Sequence, residues 1–308
     1  METGKILITG GSGFLGQNLI RTLSRCGYET VCLDRYEADF LKECGTVFIQ
    51  GDISEAKQLV SFLEGVDVVI HLACTILPQM SNSDPYFDMM TNVGGTLHLL
   101  DAALKNQVKK VIFFSSGGTV YGVPQTVPIP ETHPTNPTCS YGISKLMIEK
   151  YLRLYRNEFG LRSCSVRLAN PYGPYQRVKS AQGVIPVFCY KALTGTPIEI
   201  WGDGSVRRDF IYVEDMTKAI VKLIEKETMP QELNIASGEA VSLKELLGKI
   251  SSVTGKELDC RFTAPRAFDV PISMLDISLA QKELQWCPTT TLEEGLKKTV
   301  EYISTNFL

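Results

Sequence analysis

The first third of the chain alternates short apolar runs with segments in which apolar residues recur every three or four positions. Residues 5–9 form the first run, and after a glycine-rich stretch Leu15, Leu19 and Leu23 recur at helical spacing. Runs too short for helices also occupy residues 29–33, 47–50, 66–73 and 110–114. Because short buried strands that alternate with helices are typical of parallel sheets covered on both faces, we predict a doubly wound α/β fold.

The glycine-rich stretch has the spacing of a dinucleotide-binding loop of the Rossmann type. Gly10 would let the chain turn sharply, Gly13 would let the backbone approach a pyrophosphate, and Gly16 would let the helix pack closely. The second run ends at Asp34, which lies 34 − 16 = 18 positions after the last glycine and close to the spacing of an acid that binds ribose. A carboxylate repels a 2′-phosphate, so Asp34 favours NAD over NADP, although the neighbouring Arg35 weakens this preference.

Polar residues follow several predicted strands, at the edge where such sheets bind ligands. Asp52 either accepts a hydrogen bond from the adenine amine or caps the next helix. We interpret His71 as a residue packed at a strand end rather than a catalytic one. Asn92 lies inside a long helix predicted over residues 83–106; it is either solvated or, given the glycine pair after it, close to another backbone.

A tyrosine and a lysine follow the serine- and glycine-rich residues 115–122 and a proline-rich loop over residues 123–137. Ser140 is predicted to cap the next helix, on which Tyr141 and Lys145 are four residues apart and share one face. A free tyrosine has a pKa of about 10, and an adjacent ammonium together with a positive nicotinamide ring would favour its phenolate. Tyr141 is therefore a candidate general base for a substrate hydroxyl.

Composition restricts the partners and the compartment. The 308 residues contain 31 basic and 34 acidic side chains, a net charge of −3 that argues against nucleic acid or an acidic membrane as partner. No apolar window approaches a membrane span, and no signal-peptide pattern precedes the first strand. Nine scattered cysteines without a C-x-x-C pair are typical of reduced thiols. We expect a cytoplasmic protein without a metal site.

These motifs together resemble the extended short-chain dehydrogenases/reductases of the NAD-dependent epimerase/dehydratase family, over essentially the whole chain. The resemblance implies a Rossmann domain for NAD over residues 1–170 and a smaller nucleotide-sugar domain over residues 171–308, with some segments returning to the main sheet. It also implies a homodimer built from the helices at residues 83–106 and 140–159. The motifs that carry it lie at residues 10–16, 34, 51–52, 92–96, 115–122, 141–145, 167–174, 207–215, 265–266, 276–278, 284–286 and 292–296.

The resemblance implies a role for each matching residue. Tyr141 would be the base, Lys145 would hold the nicotinamide ribose, and two arginines would pair with the diphosphate. The implied NAD contacts are Gly10, Gly13, Phe14, Leu15, Gly16, Asp34, Asp52, Ile53, Leu72, Ala73, Asn92, Ser115, Tyr141 and Lys145. The implied substrate contacts are Asn170, Val184, Arg208, Arg266, Asp269 and Ser273.

One position departs from the family pattern. Where the family carries a Ser or Thr that shuttles the substrate proton, this chain has Gly117. Ser116 and Thr119 flank this position, and either of them is a candidate to supply the hydroxyl. We favour Thr119, because two residues are one pleat period and would keep its side chain on the same face as position 117. The dehydratases carry an Asp-Glu pair directly after that hydroxyl, and Gly118-Thr119 stands here instead, which argues against dehydration.

The predicted activity is 4-epimerisation of a nucleotide sugar, with a UDP-sugar favoured. Galactose epimerases have a bulky Tyr where this chain has Ser273, and the smaller residue leaves room for a 2-acetamido sugar or its uronic acid. Arg177 and Lys179 would meet a carboxylate or form a solvated basic loop. The alternatives are a 4-keto-sugar reductase and a module that binds NAD or a nucleotide sugar without turnover.

Overall fold

A seven-stranded, all-parallel sheet forms the centre of the computed structural model, which describes residues 4–75, 81–178, 183–265 and 270–308. The strands of this sheet are β1 (Ile6–Thr9), β2 (Thr30–Asp34), β3 (Val47–Gln50), β4 (Val68–His71), β5 (Lys110–Ser116), β6 (Ser163–Leu168) and β10 (Glu232–Ile235). Their spatial order is β10-β6-β5-β4-β1-β2-β3. The predicted doubly wound Rossmann-type fold is confirmed, and the order reverses between β1 and β4, where such sheets bind ligands.

Two apolar layers cover the sheet because side chains alternate along each strand. Ile6 and Ile8 of β1 belong to one buried cluster, while Leu7 between them belongs to the cluster on the opposite face. The helices of the first half are α1 (Phe14–Arg25), α2 (Phe40–Glu43), α3 (Ala56–Phe62), α4 (Pro85–Asp88), α5 (Gly95–Lys105) and α6 (Ser140–Phe159).

The helix predicted over residues 83–106 is interrupted. It begins at Pro85, and a π-helical segment, Met89–Gly94, joins α4 to α5. The segment contains Asn92 and ends at the first residue of the glycine pair. Because π-helical turns add a residue to the helical repeat, they redirect side chains locally and are frequent at functional sites.

The remaining strands form two small sheets around a third apolar cluster. The strands are β7 (Asn170–Tyr172), β8 (Ile198–Trp201), β9 (Arg207–Tyr212), β11 (Ala240–Ser242), β12 (Cys260–Thr263) and β13 (Ile272–Ser273), and the helices are α7 (Val184–Thr194), α8 (Val213–Glu225), α9 (Leu243–Thr254), α10 (Ser278–Leu284) and α11 (Leu292–Phe307). Strand β9 pairs with β7, β11 and β13, and β8 pairs with β12. From this part of the chain β10 returns to the main sheet beside β6. The domain division at residue 170 stays a prediction.

Candidate active site

The glycine loop lies between β1 and α1 in the geometry that a pyrophosphate requires. Gly10 has φ +71°, and a Cβ there would lie 2.9 Å from the backbone nitrogen of Ala73. A Cβ at Gly16 would collide with the backbone of Gly11. At Gly13, which precedes the first turn of α1, the nearest atom to an added Cβ is the carbonyl oxygen of Gly10 at 3.3 Å. The backbone at Gly13 is therefore open to a ligand at the positive end of α1.

Asp34 is fixed at the end of β2 by the glycine loop itself. Its Oδ2 accepts a hydrogen bond of 3.0 Å from the backbone N–H of Ser12, and its Oδ1 accepts one of 2.7 Å from the N–H of Arg35. The Arg35 guanidinium lies over the ring of Tyr36, with 5.9 Å from Cζ to the centroid. Because the loop and the acid are joined directly, one rigid unit can present both a phosphate cradle and a ribose acceptor.

Asp52 and Asn92 use their side chains within the protein. Asp52 Oδ1 accepts hydrogen bonds from the backbone N–H and the hydroxyl of Ser54, at 2.9 and 2.8 Å, which organises the turn before α3. Asn92 is buried; its Nδ2 donates to Asp88 Oδ1 at 2.6 Å and its Oδ1 accepts from the Thr75 N–H at 3.0 Å. The interpretation of Asn92 as a solvated residue is therefore wrong.

The other predicted NAD contacts lie around the same strand ends. Leu72 and Ala73 follow β4, and both donate backbone hydrogen bonds to Thr9 at the end of β1. Ile53 is buried, and its side chain would be 2.8 Å from a Cβ at Gly95. The glycine pair thus makes room for a side chain rather than for the backbone expected from the sequence. Phe14 and Leu15 begin α1 and pack against the core.

His71 is a packed residue, as the sequence indicated. Its Nδ1 is 2.7 Å from Thr9 Oγ1 and its Nε2 is 2.9 Å from Thr96 Oγ1, so both ring nitrogens have partners in the interior. Burial and, to a smaller extent, the charge of Lys145 together lower the pKa of His71 to about 3. The imidazole is neutral at physiological pH and links β1, β4 and α5.

Tyr141 and Lys145 share the first turns of α6. The Lys145 ammonium donates a hydrogen bond of 2.8 Å to the carbonyl oxygen of Phe114 at the end of β5, and it lies 5.5 Å from the centre of the Tyr141 ring. Burial raises the pKa of the Tyr141 phenol well above its usual range, and the nearby Cys74, Cys139 and Asp88 add to this effect. The expected phenolate depends on the nicotinamide ring as well as on Lys145, so it stays a prediction for the protein with NAD bound.

The end of α6 is held by groups from another segment. The predicted cap, Ser140, is itself the first helical residue; the N-cap is Cys139, which makes no side-chain capping bond. The hydroxyl of Ser140 instead donates to Asp88 Oδ2 at 3.0 Å.

A buried hydrogen-bond network lies beside the end of β5. The hydroxyl of Ser115 donates to Glu149 Oε1 at 2.5 Å, and Glu149 also accepts two hydrogen bonds from the Arg167 guanidinium, at 3.1 and 2.7 Å. Arg167 extends the network to the hydroxyl of Tyr121 at 3.1 Å. Ser115 thus anchors α6 to β5 and β6, and its side chain is directed at Glu149. Its predicted contact with NAD stays a prediction.

The loop after β5 shows why a glycine stands at position 117. An added Cβ there would collide with Leu275 and would lie 3.2 Å from the carbonyl oxygens of Arg167 and Leu168. The strand ends at Ser116, and the N–H of Val120 donates back to the Ser116 carbonyl at 3.2 Å. The pleat argument for Thr119 is therefore wrong, because these residues form a turn.

Thr119 nevertheless carries a buried hydroxyl near the candidate base. Its Oγ1 is buried and has no hydrogen-bond partner among the residues that the structure describes. Its Cβ would lie 3.2 Å, and its carbonyl oxygen 2.9 Å, from a Cβ at Gly142, the residue after Tyr141. The Thr119 side chain is therefore adjacent to the first turn of α6, where the candidate base lies.

The predicted substrate residues surround β9 and β13. Asn170 Nδ2 donates to the carbonyl oxygen of Asp209 at 2.8 Å, and Arg208 donates to the carbonyl of Val270 at 2.8 Å. Ser273 is buried on β13 directly opposite Arg208. Val184 is the first residue of α7. Three further candidates, Lys179, Arg266 and Asp269, lie outside the described residues.

Two buried acids escaped the sequence reasoning. Asp88 is 0% exposed and contacts α6, the helix that carries Tyr141. Glu149 is 2% exposed and lies on α6 itself. The local signal was the i,i+4 spacing of Asp88 and Asn92 and of Lys145 and Glu149, which puts each pair on one helix face. Their other partners are distant in sequence, so spacing alone could not identify them.

Comparisons with known proteins agree with this geometry. A model of the "NAD dependent epimerase/dehydratase family" matches residues 6–236. The chain is 36% identical over 308 residues to a dTDP-4-dehydro-6-deoxyglucose reductase of Escherichia coli, with 97% of each chain covered. A UDP-glucose 4-epimerase of Thermotoga maritima, solved with UDP-glucose, has a TM-score of 0.93 at 34% identity and covers 99% of this chain and 100% of its own.

A second solved structure is a UDP-N-acetylglucosamine 4-epimerase of Methanobrevibacter ruminantium in complex with UDP-N-acetylmuramic acid. It has a TM-score of 0.92 at 29% identity, with 100% of both chains covered. The family model spans well over half of the residues, and the structural likeness spans the two small sheets as well as the main one. With its glycine cradle, Asp34 and the Tyr141–Lys145 helix, the chain belongs to the NAD-dependent epimerase/dehydratase family, whose cofactor is NAD.

Proposed function

We propose that this protein is an NAD-dependent nucleotide-sugar 4-epimerase. The observation that carries the proposal is the arrangement at the strand ends, where the cradle at Gly13 and the base candidate Tyr141 open onto the same edge of one parallel sheet. The likeness to two 4-epimerases over nearly the full chain supports the reaction type. The residues fit NAD, because the cradle leaves no side chain in the way of a diphosphate and Asp34 offers a ribose acceptor.

Each residue near the sheet edge then has a task. Gly13 presents its backbone to the diphosphate, while Gly10 makes the turn and Gly16 lets α1 pack closely. Asp34 binds the ribose, and Lys145 holds its ammonium between the Phe114 carbonyl and the Tyr141 ring. NAD, when bound, would supply the hydride acceptor and donor that inversion at C4 of a sugar requires. Tyr141 removes and restores the proton of the C4 hydroxyl.

Thr119 is the residue that we assign to the proton path between substrate and Tyr141. The Thr119 Oγ1 is buried beside the first turn of α6 and has no partner among the described residues, and an unpaired buried hydroxyl costs free energy in the folded protein. The Ser116 hydroxyl is the alternative, since it too lies at the end of β5. At Gly117, Leu275 occupies the space that a side chain would need.

The substrate is proposed to be a UDP-sugar that tolerates a 2-acetamido group. The small Ser273 stands where galactose epimerases have a tyrosine, and it lies opposite Arg208, the candidate partner of the diphosphate. The two structural relatives were solved with UDP-glucose and UDP-N-acetylmuramic acid, respectively. Residues 171–308 would supply most of this site.

We also propose a cytoplasmic homodimer. All nine cysteines are free thiols, and the described residues include no helix long and apolar enough to cross a membrane. Exposed apolar side chains cluster on α4 and α6, the helices expected to pair: Tyr86, Phe87, Ile143 and Leu154 are 70%, 48%, 50% and 46% exposed. Four helices, two from each subunit, would cover this face.

The test is to incubate the purified protein with UDP-glucose, UDP-galactose, UDP-N-acetylglucosamine and UDP-N-acetylgalactosamine, and to follow C4 inversion by NMR without added cofactor. We expect NAD to co-purify with the protein and at least one pair to interconvert. A requirement for stoichiometric NADPH would instead indicate a 4-keto-sugar reductase, the activity named for the Escherichia coli relative. Tight binding of NAD or a UDP-sugar without inversion would indicate a non-catalytic module.

A further inference from the structure

The first turn of α6 is held by hydrogen bonds from a segment that precedes it by more than fifty residues. The backbone N–H of Tyr141 donates to Ser81 Oγ at 2.8 Å, and the N–H of Ser140 donates to Asn82 Oδ1 at 2.8 Å. The first amides of a helix have no partner within the helix, and the N-cap residue Cys139 supplies none from its side chain. The position of the catalytic turn is therefore set from outside α6.

One buried carboxylate completes this attachment. Asp88 is fully buried, and its Oδ2 accepts hydrogen bonds of 3.0 Å from the hydroxyls of both Ser140 and Ser144. Its Oδ1 accepts a bond of 2.6 Å from Asn92, which holds Thr75 after β4. Since Ser140 and Ser144 are one helical turn apart, Asp88 spans the whole first turn of α6.

The two serines alternate with the two candidate catalytic residues along the chain. Ser140 directly precedes Tyr141, and Ser144 directly precedes Lys145. A shift of the α6 turn against α4 would therefore move the phenol and the ammonium together. Because catalysis depends on the placement of reacting groups to within about 1 Å, the contact with Asp88 is positioned to affect turnover.

Asp88 also acts on both groups through its charge. The groups that face the Tyr141 phenol are Cys74 from the loop after β4, Cys139 before α6, Asp88 from α4 and Lys145 from α6 itself. Burial is the main cause of the raised pKa of Tyr141, and Asp88 raises that pKa further. Burial lowers the pKa of Lys145. The negative charge of Asp88 opposes this shift because it stabilises the ammonium form.

We propose that Asp88 is a positioning residue for the candidate base: through Ser140 and Ser144 it fixes the first turn of α6, so that Tyr141 and Lys145 keep their places at the sheet edge. Asp88 touches neither sugar nor cofactor in this role. The proposal rests on the proposed function for the identity of Tyr141 as the base, and on the hydrogen bonds alone for the attachment of α6.

The experiment compares Asp88→Asn with Asp84→Asn. Both variants remove one negative charge from α4 without changing the shape of the side chain. Asp84 is exposed, and its carboxylate caps α4 by accepting a hydrogen bond from the Phe87 N–H. Asparagine caps helices about as well as aspartate does, so this variant should keep the cap. A third variant, Ser144→Ala, removes one hydrogen bond to Asp88 and leaves the charge in place.

In Asp88→Asn we expect kcat to fall about 10- to 100-fold while KM for the UDP-sugar changes little. Loss of the negative charge lowers the pKa of Tyr141, and activity needs the deprotonated phenol, so the acid limb of the kcat profile should move to lower pH. Ser144→Ala should lower kcat without moving this limb, and Asp84→Asn should behave as the unaltered protein.

Amide hydrogen exchange tests the attachment without any turnover. Exchange in a peptide covering residues 139–147 should be faster in Asp88→Asn than in Asp84→Asn, while a peptide from α1 should exchange equally in both. If the unaltered protein shows no epimerisation, the proposed function fails and the exchange result still decides the attachment. Unchanged exchange at residues 139–147, faster exchange throughout the chain, or an unaltered kcat with an unmoved acid limb would overturn the proposal.

Discussion

At the scale of single residues, the proposed proton path depends on the side chains that follow β5. Gly117 occupies the position of the family's hydroxyl, and Leu275 together with the backbone of β6 leaves no room for a side chain there. Thr119 lies against Gly142, and its buried Oγ1 has no partner within the described part of the chain. The proposed proton path therefore runs through a hydroxyl farther along the turn, beside the residue that follows Tyr141.

Substitution of the two hydroxyl candidates distinguishes them. We expect Thr119→Val, which keeps the shape of the side chain, to lower kcat by about 10² or more, because a general acid–base relay contributes about that much. Ser116→Ala should retain most of the activity and serves as the matched control. The measurement is epimer interconversion with NAD content checked in each sample. The reverse order of the two effects would assign the relay to Ser116.

At the scale of helices and strands, α6 connects the chemistry with the predicted dimer. One face carries Tyr141 and Lys145 toward the strand ends, and its buried Glu149 pairs with Arg167. The outer face exposes Ile143 and Leu154, eleven residues apart and therefore on the same side of the helix. Since charged groups at the core of an interface are costly, this outer face can be tested directly.

Charge on the outer face of α6 should separate the subunits. We expect the double variant Ile143→Asp and Leu154→Asp to sediment as a monomer under conditions in which the unaltered protein sediments as a dimer. Val47→Asp, at another exposed apolar side chain, should leave the dimer intact. Analytical ultracentrifugation over a range of concentrations measures both. If the unaltered protein is itself a monomer, or if the double variant remains dimeric, this interface is wrong.

At the scale of the whole molecule, buried ionisable groups link stability to pH. His71 joins β1, β4 and α5 as a neutral imidazole, and burial lowers its pKa to about 3. An unfolded histidine has a pKa of about 6.5, so between these values the unfolded chain binds the extra proton. The contribution of neutral His71 to the free energy of unfolding is fully present above about pH 6.5, and it is lost as the pH falls toward 3.

A second buried group acts in the opposite direction. Burial raises the pKa of Asp209 to about 6, although hydrogen bonds from Ser237, Leu275 and Gly238 oppose the shift. Its contribution is present at low pH and is lost as the pH rises through about 6. The pH dependence of the free energy of unfolding therefore contains both contributions. The contribution of His71 is obtained by comparing the unaltered protein with a variant that lacks this histidine.

The free energy of unfolding should reveal this difference. In the unaltered protein we expect His71 to add a slope of about 1.4 kcal/mol per pH unit between pH 4 and 6, and His71→Gln should lack it. His98→Gln, at an exposed histidine on α5, should keep the full slope. Urea unfolding at a series of pH values measures each slope. Parallel curves for the unaltered protein and His71→Gln would show that the imidazole does not titrate as described.

The sequence by itself determined the features that depend on local spacing. The apolar runs predicted the parallel strands, the glycine interval predicted the tight turn at Gly10, and the four-residue spacing put Tyr141 and Lys145 on one helix face. These are properties of backbone geometry over a few residues, which strands, turns and helices impose in any fold. The position of Asp34 beside the loop followed in the same way.

Only the tertiary structure decided which polar side chains are available. Asp88 meets Ser140 and Ser144 across 52 and 56 positions, and the side chain of Leu275 fills the space beside Gly117. The raised pKa of Tyr141 likewise follows from burial that no spacing reveals. Hydrogen bonds, packing space and desolvation depend on which distant segments pack together. The local pattern therefore predicted the fold, but it could not establish which side chains are placed to carry a proton.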